Sequence, residues 1–229
     1  MTTATTEVWH HYGRARAASD DSVPDTFHWA WSQDRGPGPE MLGILTGKIV
    51  ADLGSGAARQ AAHLATHHRP GRVDAIESSP AQHTMAAGLY AALAPRLHLV
   101  HADAVTHLHT AHQSYDVLYS VFGATCFSDP ARLLPAAAAA LRPGGRLVFA
   151  TFGHYLSGAA ASEDVTPVHV PAKAPDGTAT TMHRWVLRPH VWGRLLDAVG
   201  LTDITTDVLA AGSGPRAAET LLISAFRGR

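Results

Sequence analysis

From Lys48 onward, short unbroken apolar runs alternate with longer mixed segments, whereas residues 1–46 show no regular alternation. Apolar runs bounded by turn formers predict strands buried on both faces, here at residues 49–53, 72–76, 97–101, 115–120 and 146–151. Helices are predicted between them at residues 57–68, from Ser79-Pro80 to about 93, and at 130–141. They stop at Pro70-Gly71, Pro95 and Pro143-Gly144-Gly145. Strand and helix in alternation predict βαβ units and a parallel sheet with helices on both faces. The alternation ends at Thr151, and residues 152–176, rich in Gly, Ala, Ser and Pro, read as a long loop, either functional or disordered. A strand at 180–187, a helix at 190–199 and strands at 202–209 and 220–226 follow, the last two joined through Gly212-Ser213-Gly214-Pro215. The expected fold is α/β: a Rossmann-like, doubly wound, seven-stranded, mostly parallel sheet with an antiparallel last strand. One domain spans 47–229 with an insertion at about 152–188, behind an N-terminal lid at 1–46.

Composition narrows the function. With 229 residues, 46% of them hydrophobic, the chain can bury a core without a disulfide or metal staple. A formal net charge of −1 offers no electrostatic case for a nucleic-acid partner. Cys126 stands alone, which excludes an intrachain disulfide and a cysteine zinc cluster. The opening Met-Thr-Thr-Ala-Thr-Thr lacks a basic or apolar leader pattern, and no apolar run approaches the ~18 residues of a spanning helix. No membrane association is expected, and the cytoplasm is the expected location. The 16 histidines are scattered without an HExxH, and His107, His109 and His112 lie among few other donors, so no metal is expected.

The candidate chemistry lies in Asp52-Leu53-Gly54-Ser55-Gly56-Ala57-Ala58, between the first strand and the first helix. In doubly wound sheets ligands bind beyond the carboxyl ends of the strands, where strand order reverses. Glycines there admit a ligand close to the backbone, and the free amides of the helix start favour an anionic group. Glu77, 21 residues past Gly56 and ending the second strand, suits a carboxylate that accepts ribose hydroxyls. These features imply a nucleoside-containing cofactor. A dinucleotide fingerprint requires Gly or Ala at the sixth position from Gly54, and Arg59 stands there. Asp52 would also repel a pyrophosphate, yet it suits an ammonium or sulfonium.

On these residues the chain resembles the class I S-adenosylmethionine-dependent methyltransferases over about 48–151, and more loosely to residue 229. Asp52–Ala58 is similar to that family's Asp/Glu-x-Gly-x-Gly-x-Gly loop, with Ala58 in place of the last glycine. Glu77 matches the acid that holds the ribose, and Asp103-Ala104 the acid that contacts the adenine amine. Tyr115-Asp116-Val117-Leu118 and Leu141-Arg142-Pro143-Gly144-Gly145-Arg146-Leu147 match the fourth strand and the turn into the fifth. The resemblance implies S-adenosyl-L-methionine as cofactor, held by Asp52, Gly54, Ser55, Gly56, Glu77, Ser78, Asp103, Ala104, Ser120 and Tyr12. Methyl transfer needs alignment and exclusion of water, and a base only where the nucleophile must lose a proton.

After the fourth strand the chain reads Ser120-Val121-Phe122-Gly123, without the Asp/Asn-Pro-Pro-Tyr/Phe that the resemblance would require for methylating base amines. The expected acceptor is therefore a small aromatic or heterocyclic molecule, indole- or phenol-like, from a bacterial biosynthetic pathway. All five tryptophans lie in the N-terminal stretch or after residue 180, outside the common core. Trp9, Trp29, Trp31, Phe122 and Tyr155 are expected to bind the acceptor, while Trp192, inside a helix, packs. His154, Tyr155, His183 and His28 in the lid are the catalytic-base candidates, with His154 first and His183 second. A monomer or homodimer is expected. A nucleotide-dependent oxidoreductase, a non-catalytic S-adenosylmethionine-binding module, and an RNA or protein methyltransferase are the alternatives. Neither Lys48 nor Lys173 has a tyrosine four residues before it, which disfavours the first of these.

Overall fold

The computed structural model describes residues 22–174, 176–212 and 217–229. Strands β1 (Ile49–Leu53), β2 (Arg72–Glu77), β3 (Leu97–His101), β4 (Tyr115–Val121) and β5 (Leu141–Phe152) form in turn. The helices between them are α1 (Arg59–His67), α2 (Pro80–Tyr90), α3 (Ala104–Thr110), α4 (Ala124–Phe127) and α5 (Pro130–Ala140). Beyond β5 come β6 (Val168–Lys173), β7 (Ala179–Arg184), α6 (Pro189–Ala198), β8 (Leu201–Leu209) and β9 (Thr220–Arg227). The main sheet runs β3-β2-β1-β4-β5-β9-β8, with β1 to β5 parallel and β9 antiparallel to both neighbours. The first two crossovers move outward from β1 to β3. The chain then returns to place β4 on the other side of β1, so the switch point lies between β1 and β4.

Local chemistry fixes the element ends. Ser79 accepts the Gln82 amide and Asp129 the Ala131 amide, each with Pro at the first helical position. Asp103 caps α3 by accepting the Thr106 amide, so this short helix follows directly from the acid expected only to bind cofactor. On α5, Leu133, Leu134, Ala136, Ala137 and Ala140 fall on one buried face, and each fully buried Leu stabilises the fold by about 1.5–3 kcal/mol. Asp116 accepts the Ile49 amide (2.8 Å) and an Arg142 guanidinium N–H (2.9 Å). It thereby ties the start of β1 to the turn leading along β5.

Two apolar layers cover the sheet. One joins Leu53, Leu118 and Phe149 to α3, α5 and α6, with Trp192 against Phe149 at 5.0 Å. The other joins Val50, Val73 and Tyr119 to α1 and α2 and also buries Phe27 and Trp29 from the segment ahead of the sheet. The expected long loop at 152–176 holds β6, which pairs with β7 as a separate antiparallel ribbon. β5 starts five residues earlier than the apolar run suggests, because Leu141 pairs with Tyr115. The turn expected at 213–215 lies outside the described residues, as do Trp9 and Tyr12.

Candidate active site

The loops after β1 and β4 meet backbone to backbone at the switch point. Gly54 has φ +78°, and a Cβ there would lie 2.5 Å from the Ala124 nitrogen. A Cβ on Gly123 would lie 2.5 Å from the carbonyl oxygens of both Gly54 and Leu53. Only hydrogen fits at these two positions. The Gly54 and Ser55 amides both donate to the Ile76 carbonyl at 3.0 Å, closing the turn. Gly56 (φ +57°) and Ala58 (φ +59°) are also left-handed, so the replacement of the last motif glycine by Ala58 costs about 1–2 kcal/mol.

Acidic side chains stand at the ends of β1 and β2 and just past β3. Asp52 is 2% exposed and accepts the Tyr119 hydroxyl at 2.9 Å. Burial pushes its pKa to about 7, the Tyr119 bond opposes the rise, and the Glu77 charge adds to it. Glu77 accepts the Gly56 amide at 2.8 Å and the Ser79 amide at 2.7 Å. Burial raises its pKa against the pull of those amides. The Ser78 amide binds the carboxylate as well, so of its about four lone-pair sites one remains for a ligand. Asp103, partly exposed, accepts the Thr106 amide at 3.0 Å. Ser78 beside Glu77 offers its carbonyl to His101, whose Nε2 is 3.3 Å away, and Ala104 is buried. Ser120 is fully buried: its hydroxyl donates to the Leu53 carbonyl at 2.8 Å, so it holds the two loops in place.

An aromatic wall stands over the ends of β4 and β5. Phe122, with φ +51°, is turned into contact with Phe152 (4.9 Å between centroids) and Trp31 (5.0 Å), and Trp31 meets Phe152 at 4.7 Å. A bulky residue with positive φ is strained backbone, which concentrates at functional sites. The Trp31 amide donates to the Thr220 hydroxyl at 2.9 Å. Arg184 of β7 lays its guanidinium over Phe127 (4.9 Å) and Phe152 (5.2 Å). Neither Phe152 nor Arg184 carries a sequence signal that would single it out.

The other expected residues divide. Tyr155 is buried beside the wall, its hydroxyl 3.2 Å from that of Ser162. His154 follows β5; its Nδ1 donates to the Tyr155 carbonyl at 2.9 Å, and its Nε2 lone pair accepts the Glu219 amide at 3.4 Å. Trp29 is fully buried, donating to the Gly38 carbonyl at 2.8 Å and packing on Phe27 and Tyr119, beneath the site and not over it. His183 is exposed on β7, on the opposite face from Met182 and Arg184, and meets His169 instead of the wall. His28 is partly exposed, its Nδ1 3.3 Å from the Gly36 carbonyl.

Residues 50–145 match a family model described as a methyltransferase domain. That segment covers 96 of the 229 residues, and with the strand order and the β1–α1 loop it makes the chain similar to the class I S-adenosylmethionine-dependent methyltransferases. Solved structures share the fold. An S-adenosylmethionine-dependent methyltransferase from Mesorhizobium loti is 22% identical over 82% of this chain and 94% of its own, with TM-score 0.59. The 1,6-didemethyltoxoflavin-N1-methyltransferase of Burkholderia thailandensis, solved with 1,6-didemethyltoxoflavin and S-adenosylhomocysteine, is 17% identical over 83% and 75%, with TM-score 0.57. Phosphoethanolamine N-methyltransferase 2 of Haemonchus contortus, solved with S-adenosyl-L-methionine, is 13% identical over 83% of this chain but 51% of its own, with TM-score 0.63. No curated protein matches the chain. The residues present suit that cofactor: positions without a Cβ line the turn, and Glu77 keeps acceptor capacity beside the Gly56 amide. Among the described residues no helix is long and apolar enough to cross a membrane.

Proposed function

We propose that the chain is an S-adenosylmethionine-dependent methyltransferase that acts on a small aromatic or heterocyclic acceptor, indole- or phenol-like, received against the Trp31–Phe122–Phe152 wall. The observation that carries this reading is the contact of those rings at the carboxyl ends of β4 and β5, next to the glycine loop. S-adenosylmethionine supplies a methyl group on a positively charged sulfur, open to in-line displacement. Gly54, Ser55 and Gly56 let the backbone approach it closely, Glu77 and Ser78 take the ribose side, and Asp103 and Ala104 take the adenine side. Asp52 presents a carboxylate toward the positive end, and Ser120 keeps the β1 and β4 loops in register. Flat apolar rings orient a flat acceptor and exclude water, and both effects favour a displacement that needs no dedicated acid. Where the acceptor has a proton to lose, His154 takes it through Nε2, the nitrogen that its Tyr155 contact leaves unprotonated, once the Glu219 amide has released that lone pair. His183, turned outward, has no part in that step. The cytoplasm is the proposed location, and a monomer or homodimer the proposed state.

The test is formation of S-adenosylhomocysteine with a panel of phenols, indoles, nitrogen heterocycles and aliphatic amines, beside calorimetric titration with S-adenosylmethionine and NAD. Turnover confined to ring acceptors is expected. Trp31→Ala should raise their KM at least tenfold and leave the Kd for S-adenosylmethionine unchanged. Turnover of aliphatic acceptors only would overturn the aromatic reading, and binding of NAD alone would overturn the cofactor assignment.

A further inference from the structure

His169 on β6 and His183 on β7 stand directly opposite each other in the antiparallel ribbon. Both are exposed, with ring centroids 4.4 Å apart and the two Nε2 atoms 3.2 Å apart. Histidine nitrogens bind zinc-like ions at about 2.0–2.1 Å, so two nitrogens at this spacing subtend about 100–106° at a shared ion, near the tetrahedral angle. The Thr181 hydroxyl lies 3.4 Å from His169 Nδ1 and can accept its proton. With that hydroxyl accepting, His169 keeps its lone pair on Nε2, where it takes the His183 Nε2–H in the ion-free pair; an ion replaces that shared proton. Among the described residues no group of three or more His, Cys, Asp or Glu can hold a metal, so water would complete the coordination of this pair.

We propose that His169 and His183 form a two-histidine site for a divalent late first-row transition ion, in contrast to the expectation of no metal. Imidazole pairs suit copper, nickel and zinc, with copper(II) bound most tightly, and do not suit magnesium. The site has a structural consequence. On the other face of the same two strands, Ala172 and Met182 are buried with Phe127, Phe152 and Tyr155. An ion across the outer face ties β6 to β7 and fastens the ribbon that carries Arg184 to the aromatic wall.

Trp185 provides the readout, since its ring lies 6.0 Å from that of His183 and copper(II) or nickel(II) quenches nearby indole emission. The full chain, free of any histidine tag, is titrated with copper(II), nickel(II), zinc(II) and magnesium(II) while fluorescence and heat are followed. Saturable quenching by copper(II) and nickel(II), with copper(II) tighter, heat from zinc(II) and no response to magnesium are expected. His169→Ala and His183→Ala should each remove one equivalent of bound ion and weaken the quenching at least tenfold, while circular dichroism confirms the native fold. Zinc(II) should also slow amide hydrogen exchange at 168–173 and 179–184 in the native chain only. Unchanged binding in both variants, or absence of binding at millimolar nickel(II), would overturn the site. Binding without slower exchange would overturn its fastening role.

Discussion

Asp52 provides a titration that reports directly on the cofactor. Its ordinary pKa of 3.8 is pushed to about 7, first by burial, with the Tyr119 hydroxyl opposing and Glu77 adding. A carboxyl raised in the folded state stabilises the fold below its unfolded value, near pH 4, and that contribution is lost as pH climbs through about 7. At about 1.4 kcal/mol per pH decade, the loss across this window reaches roughly 4 kcal/mol at most. A cofactor bearing positive charge favours the ionised form, so its binding draws the proton off and offsets part of that loss. With a midpoint near 7, about one carboxyl in a hundred is ionised at pH 5 and about half at pH 7, so affinity should rise roughly 50-fold between them. Calorimetric titration of S-adenosylmethionine at pH 5–7.5, in buffers of different ionisation heat, measures affinity and counts released protons. Nearly one proton per cofactor should leave at pH 5.5. Tyr119→Phe removes the hydrogen bond that favours the carboxylate and should move the midpoint upward, whereas Asp52→Asn should flatten the profile. A flat profile in the native chain, or the same slope in Asp52→Asn, would refute the reasoning.

Other substitutions test other parts of the site. Glu77→Ala deprives the Gly56 and Ser79 amides of their acceptor and should weaken S-adenosylhomocysteine binding by about 1–3 kcal/mol by calorimetry. Unchanged affinity would reject the ribose assignment. Gly123→Ala forces the loops after β1 and β4 apart and should lower stability by about 1–3 kcal/mol in a thermal melt, with weaker cofactor binding. An unaltered melting temperature would show that the contact is dispensable. His154→Ala should cut turnover of a proton-losing acceptor by ~100-fold or more with cofactor affinity intact, while His183→Ala keeps both. Full turnover in His154→Ala would exclude its Nε2 as the base.

β1 was readable because it is central and buried from Val50 to Leu53, so it appears as an apolar run with the bounds found in the structure, whereas β3, the edge strand Leu-His-Leu-Val-His buried only at Leu97, was delimited by Pro95 just before it. β6 was hidden because Val168-His169-Val170-Pro171-Ala172-Lys173 buries only Ala172 and carries a proline. α3 was hidden because seven residues cover barely two turns, and its start is marked only by the cap from Asp103. The glycine loop and its acids were legible because their spacing is tied to backbone geometry. The aromatic wall was half legible: Trp31 and Phe122 stood out as aromatics outside the core pattern, but Phe152 reads as the end of a strand. Trp29 shows the limit of that reasoning, since a tryptophan in an irregular segment can serve a core as well as a lid.

The Trp31–Thr220 hydrogen bond spans 189 residues of sequence. During vectorial synthesis, the βαβ units bearing the glycine turn leave the ribosome well before β9 exists to receive Trp31. The glycine turn is thus made before β9 exists, whereas Trp31 is tied down only once β9 has docked.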